Sequence, residues 1–231
     1  MVWIPNILNL PISSTIATNE VKSRISSQSK FPSTLTDIYR DDVNLAVWQH
    51  SLNENMTPCI ESLIKKKPKF STVMILTPNN AYQHIAECLN DIEHNHSLCE
   101  HISLLVDMFC TLFELECAGL RLKLLNQPMC PKFHVDNVPC RLVTTLHGPA
   151  TQWLPHSAVN RGKLGRNSNG LADECSGIIN PDSHVEQLSC GDIALLKGEH
   201  WHNNEQAGLV HRSPATAQNI PRLLLTLDFA S

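Results

Sequence analysis

The spacing of hydrophobic residues changes character near Gly119. Before it, apolar residues recur every three or four positions, which predicts amphipathic helices over residues 81–92 and 105–113. Shorter helices are predicted at 44–48 and 60–64, with one strand at 71–76. After Gly119, short apolar runs lie between Pro, Gly and Asn residues, which is typical of strands. Those strands are predicted at residues 120–124, 132–136, 141–146, 192–197, 208–212 and 222–229.

Helices followed by many short strands indicate an α+β fold, with N-terminal helices packed on a double-stranded β-helix of the jelly-roll, cupin-like kind. Residues 1–36 show no sustained hydrophobic period and are interpreted as a flexible leader. Residues 37–231 are predicted to form a single domain, mainly helical over 37–118 and a double-stranded β-helix over 119–231. The Gly-rich segment 160–183 is predicted to be a long mobile connection, of the kind that often covers an active site.

Composition narrows the class of protein. The formal net charge is −4 and the pI is about 6.3, which argues against a general nucleic-acid binder. No run of about 18 apolar residues is present, so no membrane span is expected. The nine cysteines are scattered without any C-x-x-C pair, and the N-terminus lacks the features of a secretory signal. We therefore expect reduced thiols and a cytoplasmic protein.

The most informative motif is the pair His134 and Asp136, which is followed far downstream by His211. On a strand, residues two apart share a face, so His134 and Asp136 are expected to point into one cavity. A second imidazole arriving from a late strand completes a set of two histidines and one carboxylate. That set favours Fe(II) and oxygen chemistry, because it leaves coordination positions open.

Several residues are candidates for holding other molecules near such a metal. Arg222 begins the last predicted strand, and its guanidinium suits a bidentate contact with the carboxylate of a keto-acid cosubstrate. Arg141, Trp153 and Trp201 are predicted to line the substrate pocket, although a large aromatic residue in this position is equally typical of a core.

Simpler and competing interpretations remain for these residues. His134 is also explained as a core histidine, and Asp136 with Arg222 as an ion pair. The segment 94–101 holds three histidines and a cysteine, which suits Zn²⁺ but is also typical of a solvated loop. His200 and His202 offer a further pair on one strand face, although the arginine that follows them is less suitably spaced.

Five segments, together with the overall spacing, resemble known families. The order of ligands and arginine resembles the double-stranded β-helix of Fe(II)/2-oxoglutarate dioxygenases. More closely, the sequence resembles the bacterial domain of unknown function 1826 family from about Asp42 to Phe229. The segments that carry this resemblance are residues 129–136, 138–142, 148–154, 191–199 and 210–214. The resemblance implies a bacterial cytosolic protein with a loose association with zinc homeostasis.

The dioxygenase resemblance also exposes a departure from the pattern. Those enzymes often carry Ser or Thr two residues after the arginine, where this chain has Leu224. Thr226 shares the strand parity of Arg222, and Thr144 or Thr145 is a candidate from a neighbouring strand. We therefore expect Thr226 and Thr144 to support the cosubstrate carboxylate in place of residue 224.

These observations lead to one main functional hypothesis and two rivals. The main hypothesis is an Fe(II)/2-oxoglutarate-dependent oxygenase that hydroxylates an unknown small-molecule or protein substrate. The first rival is a non-catalytic, cupin-like metal-binding protein in zinc homeostasis, with Zn²⁺ as the alternative metal. The second is a pseudo-enzyme whose barrel only binds a partner.

Overall fold

The computed structural model describes residues 23–215 and 220–230. The strands are β1 Ile25–Ser29, β2 Val43–Trp48, β3 Ser71–Leu76, β4 Ala118–Leu125, β5 Cys140–His147, β6 Gln152–Leu154, β7 Glu186–Gln187, β8 Ile193–Lys197, β9 Val210–Arg212 and β10 Arg222–Phe229. The α-helices are α1 Thr57–Lys66, α2 Ala81–Cys88, α3 His96–Phe113 and α4 Asp173–Ser176. Short 3-10 helices span Pro32–Tyr39, Glu54–Met56, His156–Ala158, Arg161–Lys163 and Gly165–Ser168. The fold is therefore a mixture of helices and sheet, as the order of patterns predicted.

The strands form two sheets. The larger has seven strands in the order β1-β2-β8-β5-β10-β4-β3, and the smaller has three in the order β7-β6-β9. Neighbours pair in antiparallel fashion except β1 and β2, which are parallel. His134 belongs to no strand but bridges to His211 of β9. From β4 onward, the chain therefore crosses several times between the two sheets before it returns to the larger one in β10, between β5 and β4.

One face of the large sheet is covered by helices. Alternate residues of its central strands share a single apolar cluster with the buried side chains of α1, α2 and α3. In β10 these residues are Leu223, Leu225 and Leu227, all fully buried. The spacing in α3 explains the fit, since Leu98, Ile102, Leu105 and Phe109 lie on one side of that helix.

The opposite face of the large sheet looks toward the small sheet. A second apolar cluster joins Val143 of β5, Leu196 of β8 and Leu224 of β10 to Trp153 of β6 and Leu209 beside β9. The side-chain period of two explains this division, because each central strand sends alternate residues to opposite faces. Polar residues at the same parity as these apolar ones therefore face the space between the sheets.

The connection between β6 and β7 packs on the outside of the small sheet. A third apolar cluster joins Ala158, Val159 and Ile178 of this connection to Phe133 and Val210. The segment 160–183 contains three short helices, Arg161–Lys163, Gly165–Ser168 and Asp173–Ser176. The apolar residues of the connection therefore pack against the back of the small sheet, and its mobility stays a prediction.

The N-terminal part differs from the prediction in two places. Residues 25–29, expected within the flexible leader, form β1 and pair with β2 at the sheet edge. Residues 1–22 of the predicted leader lie outside the described residues. The segment 44–48, predicted as a helix, is part of β2, which is buried on both faces. A strand buried on both faces reads as a continuous apolar run and has no period that separates it from a short helix.

None of the helices in residues 23–215 and 220–230 combines the length and the apolar character that a membrane-spanning helix needs.

Candidate metal centre

His134, Asp136 and His211 meet at one end of the space between the sheets. Their ligand atoms all lie within 4.8 Å of one another. The Nε2 atom of His134 is 3.8 Å from Oδ1 of Asp136, and Nε2 of His211 is 3.5 Å from Oδ2. Within residues 23–215 and 220–230, this is the one group of three or more such side chains close enough to hold a metal ion.

Both imidazoles are held by backbone carbonyls in the orientation a metal requires. Nδ1 of His134 donates to the carbonyl of Lys132 at 2.9 Å, and Nδ1 of His211 donates to that of Leu209 at 3.2 Å. Each Nε2 atom is thereby left with a lone pair directed at the third ligand. Burial also lowers the pKa of His211 below its ordinary value, which keeps its ring neutral.

The two histidines are brought together by the backbone itself. The amide of each donates to the carbonyl of the other, at 3.0 Å in both directions. Residues 132–136, predicted as a strand, thus contribute only this isolated bridge. Gly198, just after β8, packs closely against the backbone of Asp136, since a Cβ there would lie 2.7 Å from the carbonyl oxygen of Asp136. The segment that carries the ligands can approach β8 only because residue 198 has no side chain.

Asp136 is also bonded to an arginine on the large sheet. Nη1 of Arg141 donates to Oδ2 of Asp136 at 2.9 Å. The same guanidinium donates to both carboxylate oxygens of Asp228, from Nε at 2.7 Å and from Nη2 at 3.0 Å. Burial lowers the pKa of Arg141, but the bond to Asp228 and the two negative charges outweigh it and raise the pKa overall.

Arg222 is the second cation facing this space, and its surroundings are different. Its side chain is 2% exposed. Nη2 donates to the hydroxyls of Thr151 at 2.7 Å and Thr145 at 3.1 Å, and Nη1 to that of Ser213 at 3.4 Å. No carboxylate within residues 23–215 and 220–230 forms an ion pair with it. Burial lowers its pKa to about 10, so the guanidinium remains charged at neutral pH.

Ser213 connects this arginine to the metal ligands. It lies two residues beyond His211, just after β9 ends at Arg212. Arg222 donates to its hydroxyl at 3.4 Å. Because Trp153, the strand partner of His211, and Leu224, on the same face of β10 as Arg222, share the apolar cluster between the sheets, the cation and the metal ligands face the same space.

The two predicted threonines fall on opposite faces of the large sheet. Thr226 has the parity of Arg222, and its buried hydroxyl finds no partner among the described residues. Thr144 pairs with Leu225 and Ile193, both in the helix-covered cluster. The choice of Thr144 for the cosubstrate was therefore wrong, and Thr145 is the threonine that contacts Arg222. On β5, Thr145 pairs with Leu224 and so shares the face of Arg222, whereas Thr144 pairs with Leu225 on the other face.

The three residues predicted for the substrate pocket also separate. Trp153 is paired with His211 in the small sheet and lies in the cluster between the sheets. Arg141 contacts the site through Asp136, as described above. Trp201 packs instead against Tyr39 and Phe113, with ring centroids 5.5 and 6.1 Å away, on the helix-covered side. The pocket prediction for Trp201 was wrong, because these helix-side aromatic residues enclose it.

The other histidine clusters do not assemble a comparable site. In residues 94–101, His96 pairs with Glu100 at 3.2 Å, while Cys99 is buried in the core and burial raises its thiol pKa to about 11. His101 stacks on His50 with ring centroids 5.6 Å apart. Neither this segment nor His200 and His202 contributes to a group of three ligands in the described part of the chain.

Sequence reasoning did not find three of the residues around the site. Thr151 and Ser213 bind Arg222, and Asp228 binds Arg141. The parity of Asp228 with Arg222 on one strand was a usable signal. The roles of Thr151 and Ser213 depend on contacts across the two sheets, which no local pattern encodes.

Comparison with known proteins agrees with this arrangement. The sequence matches the family described as Protein of unknown function (DUF1826) over residues 29–228. The chain belongs to this family. No curated protein matches the sequence. For a DUF1826 protein, the family description assigns no reaction, so chemistry has to be argued from the site.

Three solved structures that are similar to this chain are two dioxygenases and a hydroxylase. A dioxygenase for auxin oxidation from rice matches this DUF1826 protein with a TM-score of 0.51 and 10% identity, covering 90% of this chain and 83% of the other. The corresponding Arabidopsis thaliana dioxygenase, in complex with 2-oxoglutarate, gives 0.49 and 9%, covering 90% and 93%. A Pseudomonas putida prolyl-4-hydroxylase gives 0.42 and 9%, covering 88% and 100%. At this identity, the likeness to the rice protein shows a shared fold.

Proposed function

We propose that this protein is an Fe(II)- and 2-oxoglutarate-dependent oxygenase that hydroxylates a substrate not yet identified. One observation carries the proposal. Two histidines and a carboxylate face the space between the sheets together with Arg222, a buried cation that pairs with no acid among the described residues. Either feature alone has structural explanations. Together they match a site that takes a divalent metal and a dianionic chelator.

The ligand set suits a metal that keeps coordination positions open. Three protein ligands of the two-histidine, one-carboxylate type are typical of non-haem Fe(II) oxygenases. The histidine tautomers fit, since the backbone carbonyls of Lys132 and Leu209 occupy both Nδ1 atoms. When bound, Fe(II) and 2-oxoglutarate would supply the activation of O₂. His134, Asp136 and His211 would hold the metal on one side and leave the other side to the cosubstrate.

Arg222 suits the distal carboxylate of the cosubstrate. Burying a charge without a counter-ion is costly, so such a residue is expected to have an anionic partner when the protein works. Its planar guanidinium matches a carboxylate in a bidentate contact. Thr145, Thr151 and Ser213 fix its orientation, and the unpartnered hydroxyl of Thr226 is available to the same ligand.

The protein environment would also exclude water from the bound cosubstrate. Val143 and Leu224 lie on the same face as Arg222, and Trp153 lies beside His211. These apolar side chains lower the local dielectric, which strengthens the contact of Arg222 with an anion. His134 is about one-third exposed, so the substrate is expected to approach from its side of the triad.

The topology is consistent with the double-stranded β-helix predicted from the sequence. From β4 to β10 the chain crosses repeatedly between the sheets, with one histidine at the bridge between β4 and β5, the other on β9 and the arginine on β10. The rice protein of similar fold is a dioxygenase, which supports the same interpretation. We include the jelly-roll assignment in the proposal on these grounds.

An anaerobic titration tests the proposal. Metal-free protein receives Fe(II) and then 2-oxoglutarate, while the visible charge-transfer absorption of the chelate is followed. We expect a band that is lost in His134→Ala and needs at least tenfold more 2-oxoglutarate in Arg222→Ala. The exposed residues His184 and Arg40 provide matched controls, and His184→Ala and Arg40→Ala should behave as the parent protein. A protein that gives no band but binds Zn²⁺ tightly would reject the oxygenase in favour of metal handling.

A further inference from the structure

Asp136, Arg141 and Asp228 form a chain of charges that runs from the metal ligands into the large sheet. Arg141 lies in the middle, with one carboxylate on each side. Their side chains are 12%, 20% and 23% exposed, so the chain of charges is only partly hydrated.

The sheet register fixes the centre of this chain. Arg141 of β5 lies directly opposite Asp228 of β10. The guanidinium uses Nε and Nη2 for the two oxygens of Asp228, a fork that prevents it from rotating. The third guanidinium nitrogen, Nη1, donates to Oδ2 of Asp136. The position of that donor is thus set by the sheet and not by the flexible arginine side chain.

We propose that Arg141, held by Asp228, is a positioning residue that reserves Oδ2 of Asp136 and leaves Oδ1 alone for the metal. This inference rests on the proposed function. A carboxylate bound through a single oxygen occupies one coordination position, whereas a bidentate carboxylate occupies two. The reservation of Oδ2 therefore protects the positions that a chelating cosubstrate needs.

The charges predict opposite effects for the two supporting residues. Loss of the Arg141 charge leaves two carboxylates near the metal without a cation, so metal affinity should hold or increase while cosubstrate affinity decreases. Neutralising Asp228 leaves Arg141 with Asp136 alone, which withdraws charge from the ligand and should weaken metal binding. A merely structural role for Arg141 would weaken both kinds of binding together.

The same contacts give Arg141 a different role from the one its sequence predicts. As a substrate-pocket residue, it would need guanidinium N–H groups free for a substrate anion. Three of its five N–H groups already donate to carboxylates. Its positive charge is thereby balanced by two acids, so it attracts a substrate anion less than an unpaired cation would.

The test uses full-length protein and Co²⁺, whose visible d–d spectrum reports coordination number. Co²⁺ affinity and anaerobic 2-oxoglutarate affinity are measured for the parent, Arg141→Met and Asp228→Asn. We expect Arg141→Met to bind Co²⁺ at least as tightly as the parent, with an altered d–d spectrum and at least tenfold weaker 2-oxoglutarate binding. We expect Asp228→Asn to bind Co²⁺ several-fold to tenfold more weakly.

Two further variants keep the result interpretable. Arg40→Met removes an exposed cation whose ion-pair partner is Asp42, and it should change neither affinity. Should Arg141→Met not fold, Arg141→Lys keeps the charge but loses the fork, and an altered d–d spectrum with metal retained would support the positioning role. Equal loss of metal in Arg141→Met and Asp228→Asn, or no change in either, would overturn it. A parent protein that binds no metal would instead reject the proposed function itself.

Discussion

The two faces of strand β10 are made from adjacent residues but serve different purposes. Leu223, Leu225 and Leu227 point to the helices and are completely buried among apolar side chains. Arg222, Thr226 and Asp228 point to the space between the sheets, where they carry charge or an unpartnered hydroxyl. One face holds only groups that prefer to leave water, and the other holds groups that lose hydration by being there.

This contrast separates stability from binding on a single strand. Burial of the leucines contributes favourable free energy to folding. Burial of Arg222 costs free energy that only a ligand would recover. Substitutions on the first face should therefore change the free energy of unfolding, and those on the second should change ligand affinity.

The largest effect is expected on the helix-covered face. Leu225→Ala removes a completely buried side chain and should lower the free energy of unfolding by about 2–5 kcal/mol, measured by urea denaturation. Metal affinity of the folded fraction should not change. Leu171, which is half exposed, is the control, and Leu171→Ala should stay within about 0.5 kcal/mol. If the free energy of unfolding of Leu225→Ala fell by less than about 1 kcal/mol, the assignment of stability to this face and of binding to the other would be wrong.

On the cavity face, Arg222→Met should give the reverse pattern. Affinity for 2-oxoglutarate should fall at least about 100-fold, equivalent to about 2.7 kcal/mol, in anaerobic calorimetry. The free energy of unfolding should change by no more than about 1 kcal/mol, because a desolvated charge is replaced by an apolar chain of similar length. Strong destabilisation with unchanged 2-oxoglutarate affinity would mean that this arginine belongs to the structural face.

Acid should weaken the helix-covered face through His101 of α3. Burial, with a smaller contribution from His50, lowers the pKa of His101 to about 4. The unfolded chain takes up a proton below pH about 6.5, and the folded chain does not until pH about 4. Stability should therefore fall as pH decreases between those values, by on the order of 2 kcal/mol. Urea denaturation at pH 7, 6 and 5 measures this, and an equally steep loss in His101→Gln would assign it to other groups.

The smallest effects should come from two matched threonines. Both hydroxyls are buried without a partner among the described residues, but Thr226 faces the cavity and Thr144 faces the helices. Thr226→Val should weaken 2-oxoglutarate binding about three- to tenfold, the value of one hydrogen bond. Thr144→Val should leave that affinity unchanged. Neither substitution should cost more than about 1 kcal/mol of stability, and equal binding losses in both would contradict the assignment of faces.

Local patterns predicted those parts of the fold whose period matches one element. The range of β10 and the amphipathic stripe of α3 agree with the structure. β2 was predicted as a helix because its residues are buried on both faces, so the sequence there does not alternate between apolar and polar residues. β1 was missed because its residues are mostly polar and its strand depends on parallel pairing at the sheet edge.

For the site, the sequence predicted which residues take part better than it predicted which side chains contact one another. The spacing of His134 and Asp136 placed them together, and the structure brings His211 to them. The prediction failed at Thr144, because Thr144 lies on the helix-covered face and Thr145 on the face of Arg222. Trp201 was misjudged because proximity along the chain to β8 says nothing about which side of the sheet it occupies.

The backbone bridge between His134 and His211 ties two distant parts of the chain at a single point. Everything from β5 to β8 lies in the loop that this bridge closes, so the two rings cannot meet until those strands are in place. An ion bound to both rings would cross-link the two ends of that loop and oppose its opening. Hydrogen exchange should then slow on metal addition in β9 and at residue 134 far more than in the helix-covered strands, which the cross-link does not restrain.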